Sequence, residues 1–160
     1  MEANLSCDQG PVAGNKQARM REAIVRTSEV TVIFTTLEAT MAALHVAATL
    51  GRACNASIRL IAPQPMSYPP SAGMPPVVRT PVESDAFRAR LVAEIDTRVD
   101  VLVCVCRRVT DMARMMLRRH SLVVIGGRHS WWPTRQERLR RTLEAQGHVV
   151  VFVNEVDHAA

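Results

Sequence analysis

Aromatic residues are scarce in this chain, at 4% of 160 residues. A core built almost without them must come from Val, Leu, Ile, Ala and Met, and a 48% apolar content supplies the material. No apolar run approaches the roughly 18 residues that span a bilayer, so no transmembrane segment is expected. The opening MEANLSCDQG has no apolar stretch, so no secretory signal is expected either. The four cysteines, Cys7, Cys54, Cys104 and Cys106, follow neither zinc nor Cys-x-x-Cys spacing. The expectation is therefore no metal site and a reduced, cytoplasmic compartment. No Ser-His-Asp or Cys-His set emerges from the spacing, and no paired carboxylates fall at strand ends. Catalytic residues are not expected, and the chain is read as a non-enzyme.

Lysine is confined to Lys16, so the net charge of +5 is almost entirely arginine. Arg107, Arg108, Arg114, Arg118, Arg119, Arg128, Arg135, Arg138, Arg140 and Arg141 share their stretch with only Asp111 and Glu137 as acids. Such a patch attracts phosphates in principle. A solvated basic helix surface is the preferred reading, and neither a nucleic acid nor a membrane is expected as partner.

The length suits one domain. Residues 1–28 have no clean period and are expected to be a flexible tail, with a short helix conceivable over 16–26. The α/β domain is expected over 29–154, followed by a tail over 155–160. Val30–Phe34 is short, β-branched and apolar, as suits a strand covered on both faces. Thr35 with Glu38 has the form of a capping box and predicts a helix through EATMAALHVAATLGRAC, closed by Asn55. Ile58–Ala62 predicts the second strand. The proline-rich run after it, residues 63–81, reads as a long loop through which no helix or central strand passes. Ser84 caps a helix over 85–98 with Phe87, Leu91, Val92 and Ile95 inward. Val101–Cys106 is a third strand with Cys104 and Cys106 on one sheet face. A helix over 109–120 follows, with Val109, Met112, Met115 and Met116 inward. Leu122–Ile125 is the fourth strand and runs into Gly126-Gly127. Thr134 and Glu137 predict the cap of a last helix, Gly147 ends it, and Val149–Val153 is the fifth strand.

Alternating short apolar strands and helices imply a parallel α/β sheet with helices on both faces. Ligands in such sheets sit beyond the carboxyl ends of the strands, where strand order reverses. The candidate nucleotide contacts are therefore Thr35, Thr36, Ala62, Gly126, Gly127, Arg128, Ser130 and Thr134. Glycine at a strand end admits a phosphate to the backbone, and the next helix N-terminus favours anions. Trp131 and Trp132 are candidate interaction residues, able to stack on a base, anchor a partner, or cover the end of the sheet.

From Val30 to Val153 the order of elements resembles a universal stress protein domain. The resemblance lies in the first strand, the alanine-rich helix ending in LGRACNASIRLI, the long loop after strand two, and VTDMARMMLRRHSLVVIGGRHS. It implies a five-stranded parallel sheet of order 3-2-1-4-5, of the adenine nucleotide alpha hydrolase type, and homodimers paired along the last strand. Members that bind ATP carry a glycine, two residues, a second glycine, nine residues, then Gly-Ser or Gly-Thr. Gly126 matches the first glycine, but His129 stands at the second and Leu139-Arg140 at the final pair. Thr35 and Thr36 stand where an aspartate is usual after strand one. The resemblance thus implies a regulatory or interaction module of the stress response, without a cofactor, whose nucleotide site is degenerate. A protein holding ATP or AMP through a variant loop is the alternative.

Overall fold

Five short apolar runs form the strands of one sheet. The computed structural model describes residues 18, 22, 27–66, 81–128 and 134–154. The strands are β1 (Glu29–Ile33), β2 (Ser57–Pro65), β3 (Val99–Cys106), β4 (Leu122–Gly127) and β5 (Val149–Asn154). The helices are α1 (Leu37–Cys54), α2 (Asp85–Glu94), α3 (Val109–Met116) and α4 (Arg135–Ala145), with a short 3-10 turn at Pro81–Glu83 before α2. The sheet has the order β3-β2-β1-β4-β5 and every pair is parallel. The expected fold class is therefore the one observed. Ala18 and Glu22 are helical and exposed; the rest of 1–26 and all of 155–160 lie outside the described residues.

Both faces of the sheet are covered, which is why β1 and β4 read as continuous apolar runs. Val30, Val32, Ile58, Leu60, Leu122 and Val124 pack with Leu44 of α1 and Phe87 of α2. Ile33, Ile61, Val123 and Ile125 pack on the other face with Met112 of α3 and Leu143 of α4. Alanine fills most of the α1 seam: Ala39, Ala42, Ala43, Ala47 and Ala48 are buried, so that helix lies close to the sheet.

Capping follows local chemistry. Ser84 and Thr134 accept from the N–H three residues on, at Phe87 and Glu137. The cap of α1 is Thr36, one residue later than the capping-box reading of Thr35; its Oγ1 accepts from Ala39 N. Asn55 ends α1 at φ 52°, where Ala56 N reaches Gly51 O at 2.8 Å. Gly147 does the same for α4 at φ 87°, with His148 N on Leu143 O and its own N–H on Glu144 O.

Four expectations are corrected. First, β2 does not stop at Ala62 but continues through Pro63 and Pro65, paired with Cys104 and Cys106 of β3. Phe34 N donates to Ile61 O and Met66 N to Cys106 O, so odd residues of β2 face the β1 side and even ones face β3. Strand β1 has already ended there, so the two prolines place their missing donors on a vacated edge. Second, Val92 points outward at 83% exposure, leaving α2 held by Phe87, Leu91 and Ile95. Third, Met115 is 70% exposed, and α3 is anchored by Met112 and Ala113. Fourth, α2 and α3 end at Glu94 and Met116, short of the predicted 98 and 120, with extended residues at Ile95 and Leu117 closing them.

Candidate functional site

Strand order reverses between β1 and β4, so a crevice for a ligand belongs beyond Ile33 and Gly127. Beside that position the chain makes contacts among its own backbone and hydroxyls. Leaving β1, Thr35 turns towards β4 and donates its Oγ1 hydrogen to Gly126 O at 2.9 Å. Its N–H donates to Oγ1 of Thr40, a fully buried side chain in the first turn of α1. Thr35 is thus tied to both β4 and α1, while Thr36 caps α1. Behind this corner the rings of Phe34 and Phe87 meet edge-to-face at 5.9 Å.

The two glycines that end β4 are each explained by a neighbour. A Cβ on Gly126 would overlap the backbone carbonyl of Ala39, so the strand end lies directly against the first turn of α1. A Cβ on Gly127 would stand 2.8 Å from the Phe152 ring and 3.1 Å from Gln136 Cβ, on the opposite face. Alternation along β4 sends one glycine to each helix layer, and each permits a close contact of chain with chain.

The structure brings Thr35, Thr36, Gly126 and Gly127 together at the carboxyl rim. Arg128 follows them and is exposed. Thr134 begins α4 at the same rim. Ala62 lies apart from a strand end, buried inside β2 opposite Val103. Ser130, Trp131, Trp132 and His129 lie outside the described residues. Leu139 and Arg140 sit within α4, past its first turn, where Arg140 Nε donates to Glu137 at 3.0 Å. That bond holds the Glu137 carboxyl below the usual carboxylate range and the Arg140 guanidinium above its own. The positions aligned with the terminal Gly-Ser or Gly-Thr are therefore helix interior, and only 128–133 separate β4 from the α4 cap.

Sequence reasoning missed two participants. Ala39 supplies the backbone that meets Gly126, and its only signal is small size in the first turn of an alanine-rich helix. Asn154 ends β5 beside Gly127, with Oδ1 buried and unpartnered among the described residues. A polar residue closing an otherwise apolar strand was the available clue.

Away from the rim, Arg90 of α2 joins the two helices of its layer, reaching Glu38 and Glu94 at 2.8 Å each. His45 stands 3.5 Å from Glu94, as a half-exposed surface residue. The Arg90 bond lowers the Glu94 carboxyl below its ordinary value. Among the described residues no group of three or more His, Cys, Asp or Glu is placed to hold a metal. None of the described helices is long and apolar enough to cross a membrane.

No protein-family model and no curated protein matches the sequence. Among solved structures, one described as a universal stress protein in complex with cAMP superimposes with a TM-score of 0.50. The match covers 81% of this chain and 98% of that one, at 16% sequence identity. The chain has the universal stress protein fold. Nearly the whole of that solved chain is matched.

Proposed function

We propose that this protein is a non-enzymatic regulatory or interaction module of the universal stress type, acting as a homodimer in the cytoplasm, with a degenerate nucleotide site. One observation carries this reading. The strand end that should receive a phosphate is committed to internal contacts: Gly126 lies on the Ala39 backbone, and its carbonyl accepts from Thr35. The short connection to Thr134 and the helical placement of Leu139 and Arg140 support it, because no Gly-Ser pair stands at the helix start to wrap a triphosphate. Strand β5 ends the sheet with the apolar run VVVFVN and is the edge along which two copies pair in this reading.

The test is native mass spectrometry of the protein as purified. The expected spectrum shows chain mass, or twice it, with no added nucleotide. A retained adduct of nucleotide mass contradicts the reading.

A second reading keeps nucleotide binding through a variant loop, favoured by the exposed Arg128 and the unpartnered Asn154 Oδ1 at the rim. Arginine can replace backbone donors with a bidentate grip on phosphate. The similar solved protein holds cAMP, so a mononucleotide suits this alternative better than a triphosphate. Arg128→Ala is the informative variant. A change at Gly126 would break the fold before it reported on a ligand.

A further inference from the structure

We infer that the outer face of the α3 and α4 layer is a docking surface for double-helical nucleic acid, held through its phosphates without regard to base sequence. This depends neither on the carboxyl rim nor on pairing along β5.

The fold sorts charge by layer. Helices α3 and α4 cover one face of the sheet, anchored on it by Met112 and Leu143. Residues 107–145 carry ten arginines against three acids, Asp111, Glu137 and Glu144. The opposite layer is balanced: residues 37–54 and 81–98 hold four arginines and five acids. There, Arg90 is met by both Glu38 and Glu94. On the basic layer the two glutamates are taken within α4, since Arg140 meets Glu137 and Glu144, and Arg141 also meets Glu137. Around α3, Arg107, Arg108, Arg114, Arg118 and Arg119 are exposed and meet no carboxylate among the described residues. The same holds for Arg135 and Arg138 of α4. In sequence these arginines read as a solvated surface; the fold gathers the unmatched ones into one layer.

That arrangement works against the fold. Arg107 and Arg108 precede the first turn of α3, the end of a helix where a cation is unfavourable, and Arg108 caps it with no side-chain bond. Arg135, Arg138 and Arg141 recur every three residues along α4, a spacing at which like charges repel. A counter-charge from outside the chain relieves both.

The chemistry of the face selects the source of that charge. Arginine presents a planar fork that grips phosphate oxygens in pairs. A protein partner or a bilayer needs apolar anchors, and among the described residues Met115 is the single large hydrophobic exposed on this layer. A single strand needs a stacking platform, and the described residues of 107–148 include no Phe, Tyr or Trp. A duplex needs neither. Along the 11 residues of α4, roughly 16 Å, it presents about nine phosphates.

Fluorescence anisotropy of a labelled, mixed-sequence DNA duplex of about 20 base pairs tests this. Engagement of about five arginines gives a slope near −4.5 in log K against log salt, so affinity is expected to fall about 500-fold from about 50 to 200 mM salt. Arg114→Gln, Arg118→Gln and Arg138→Gln together are expected to weaken binding about a hundredfold or more at the lower salt, and to flatten the slope by about 2.7. The melting temperature of that variant should be level or higher, because repulsion is relieved, which separates lost contacts from lost fold. Arg52→Gln with Arg88→Gln removes exposed arginines from the opposite layer and should leave affinity within about twofold. One strand of the duplex alone should bind about tenfold more weakly. No anisotropy change with the duplex at the lower salt overturns the proposal. So does a loss per charge in the Arg52 and Arg88 variant equal to that in the triple variant. Single-strand binding as tight as duplex binding, or tighter binding to phosphatidylserine vesicles, overturns it as well.

Discussion

Gly126 stands where β4 meets the first turn of α1, with no room for a methyl group. Gly126→Ala must push the helix off the sheet, and the expected cost is above ~3 kcal/mol, read by denaturant melts. Gly147→Ala strains only one residue at φ 87° and should cost about 1 kcal/mol. Equal losses at the two positions would contradict the close contact at Gly126. His148 titrates against burial: desolvation, reinforced by His120, lowers its value from the ordinary 6.5. Its unfolded form takes up a proton first, so its contribution is present above pH 6.5 and is lost as pH falls through the lowered folded value. Glu94 and Glu137 act in the same direction below their ordinary 4.5, because their arginine bonds favour the ionised carboxylates. Melting temperature should therefore be level from neutral to mildly alkaline pH and fall in two stages towards acid. His148→Asn should remove the first stage and leave the second.

At the scale of elements, α2 offers the sharpest contrast. Phe87 is buried beneath it and Val92 lies 83% exposed on it. Phe87→Ala should cost about 3–5 kcal/mol, and Val92→Glu no more than ~0.5 kcal/mol in denaturant melts. The sequence made Phe87 and Ile95 readable as a buried row, because their spacing matches one helix face. It misplaced Val92 because apolar character alone does not orient a side chain on a ten-residue helix. Strand β2 makes the complementary point. Prolines 63 and 65 looked like a barrier to a strand, yet what matters is whether their side of the ladder is used. Only the neighbouring strand's endpoint decides that, and β1 stops early. Caps were legible where one hydroxyl had one target: Thr134→Ala should cost about 1 kcal/mol. Thr35 and Thr36 offered two hydroxyls for two tasks, and the three-dimensional neighbour Gly126 assigned them.

For the whole molecule, the parallel sheet was legible because apolar strands joined by helices call for right-handed parallel crossovers, and its order came with the resemblance to universal stress protein domains. The candidate rim was legible as a place, since a topological switch point follows from the order alone. The contact of Gly126 with Ala39 was not, because Gly126 has the same sequence signature whether its missing Cβ admits a phosphate or a helix. The most direct measurement is therefore a thermal melt of the wild-type protein with millimolar ATP, AMP and cAMP in turn. A ligand present at 100 times its dissociation constant stabilises by about 2.7 kcal/mol, which in a chain of this size raises the melting temperature by roughly 5–10 °C. A committed rim predicts no shift with any of the three. A rise of several degrees with one of them, lost in Arg128→Ala, would contradict it.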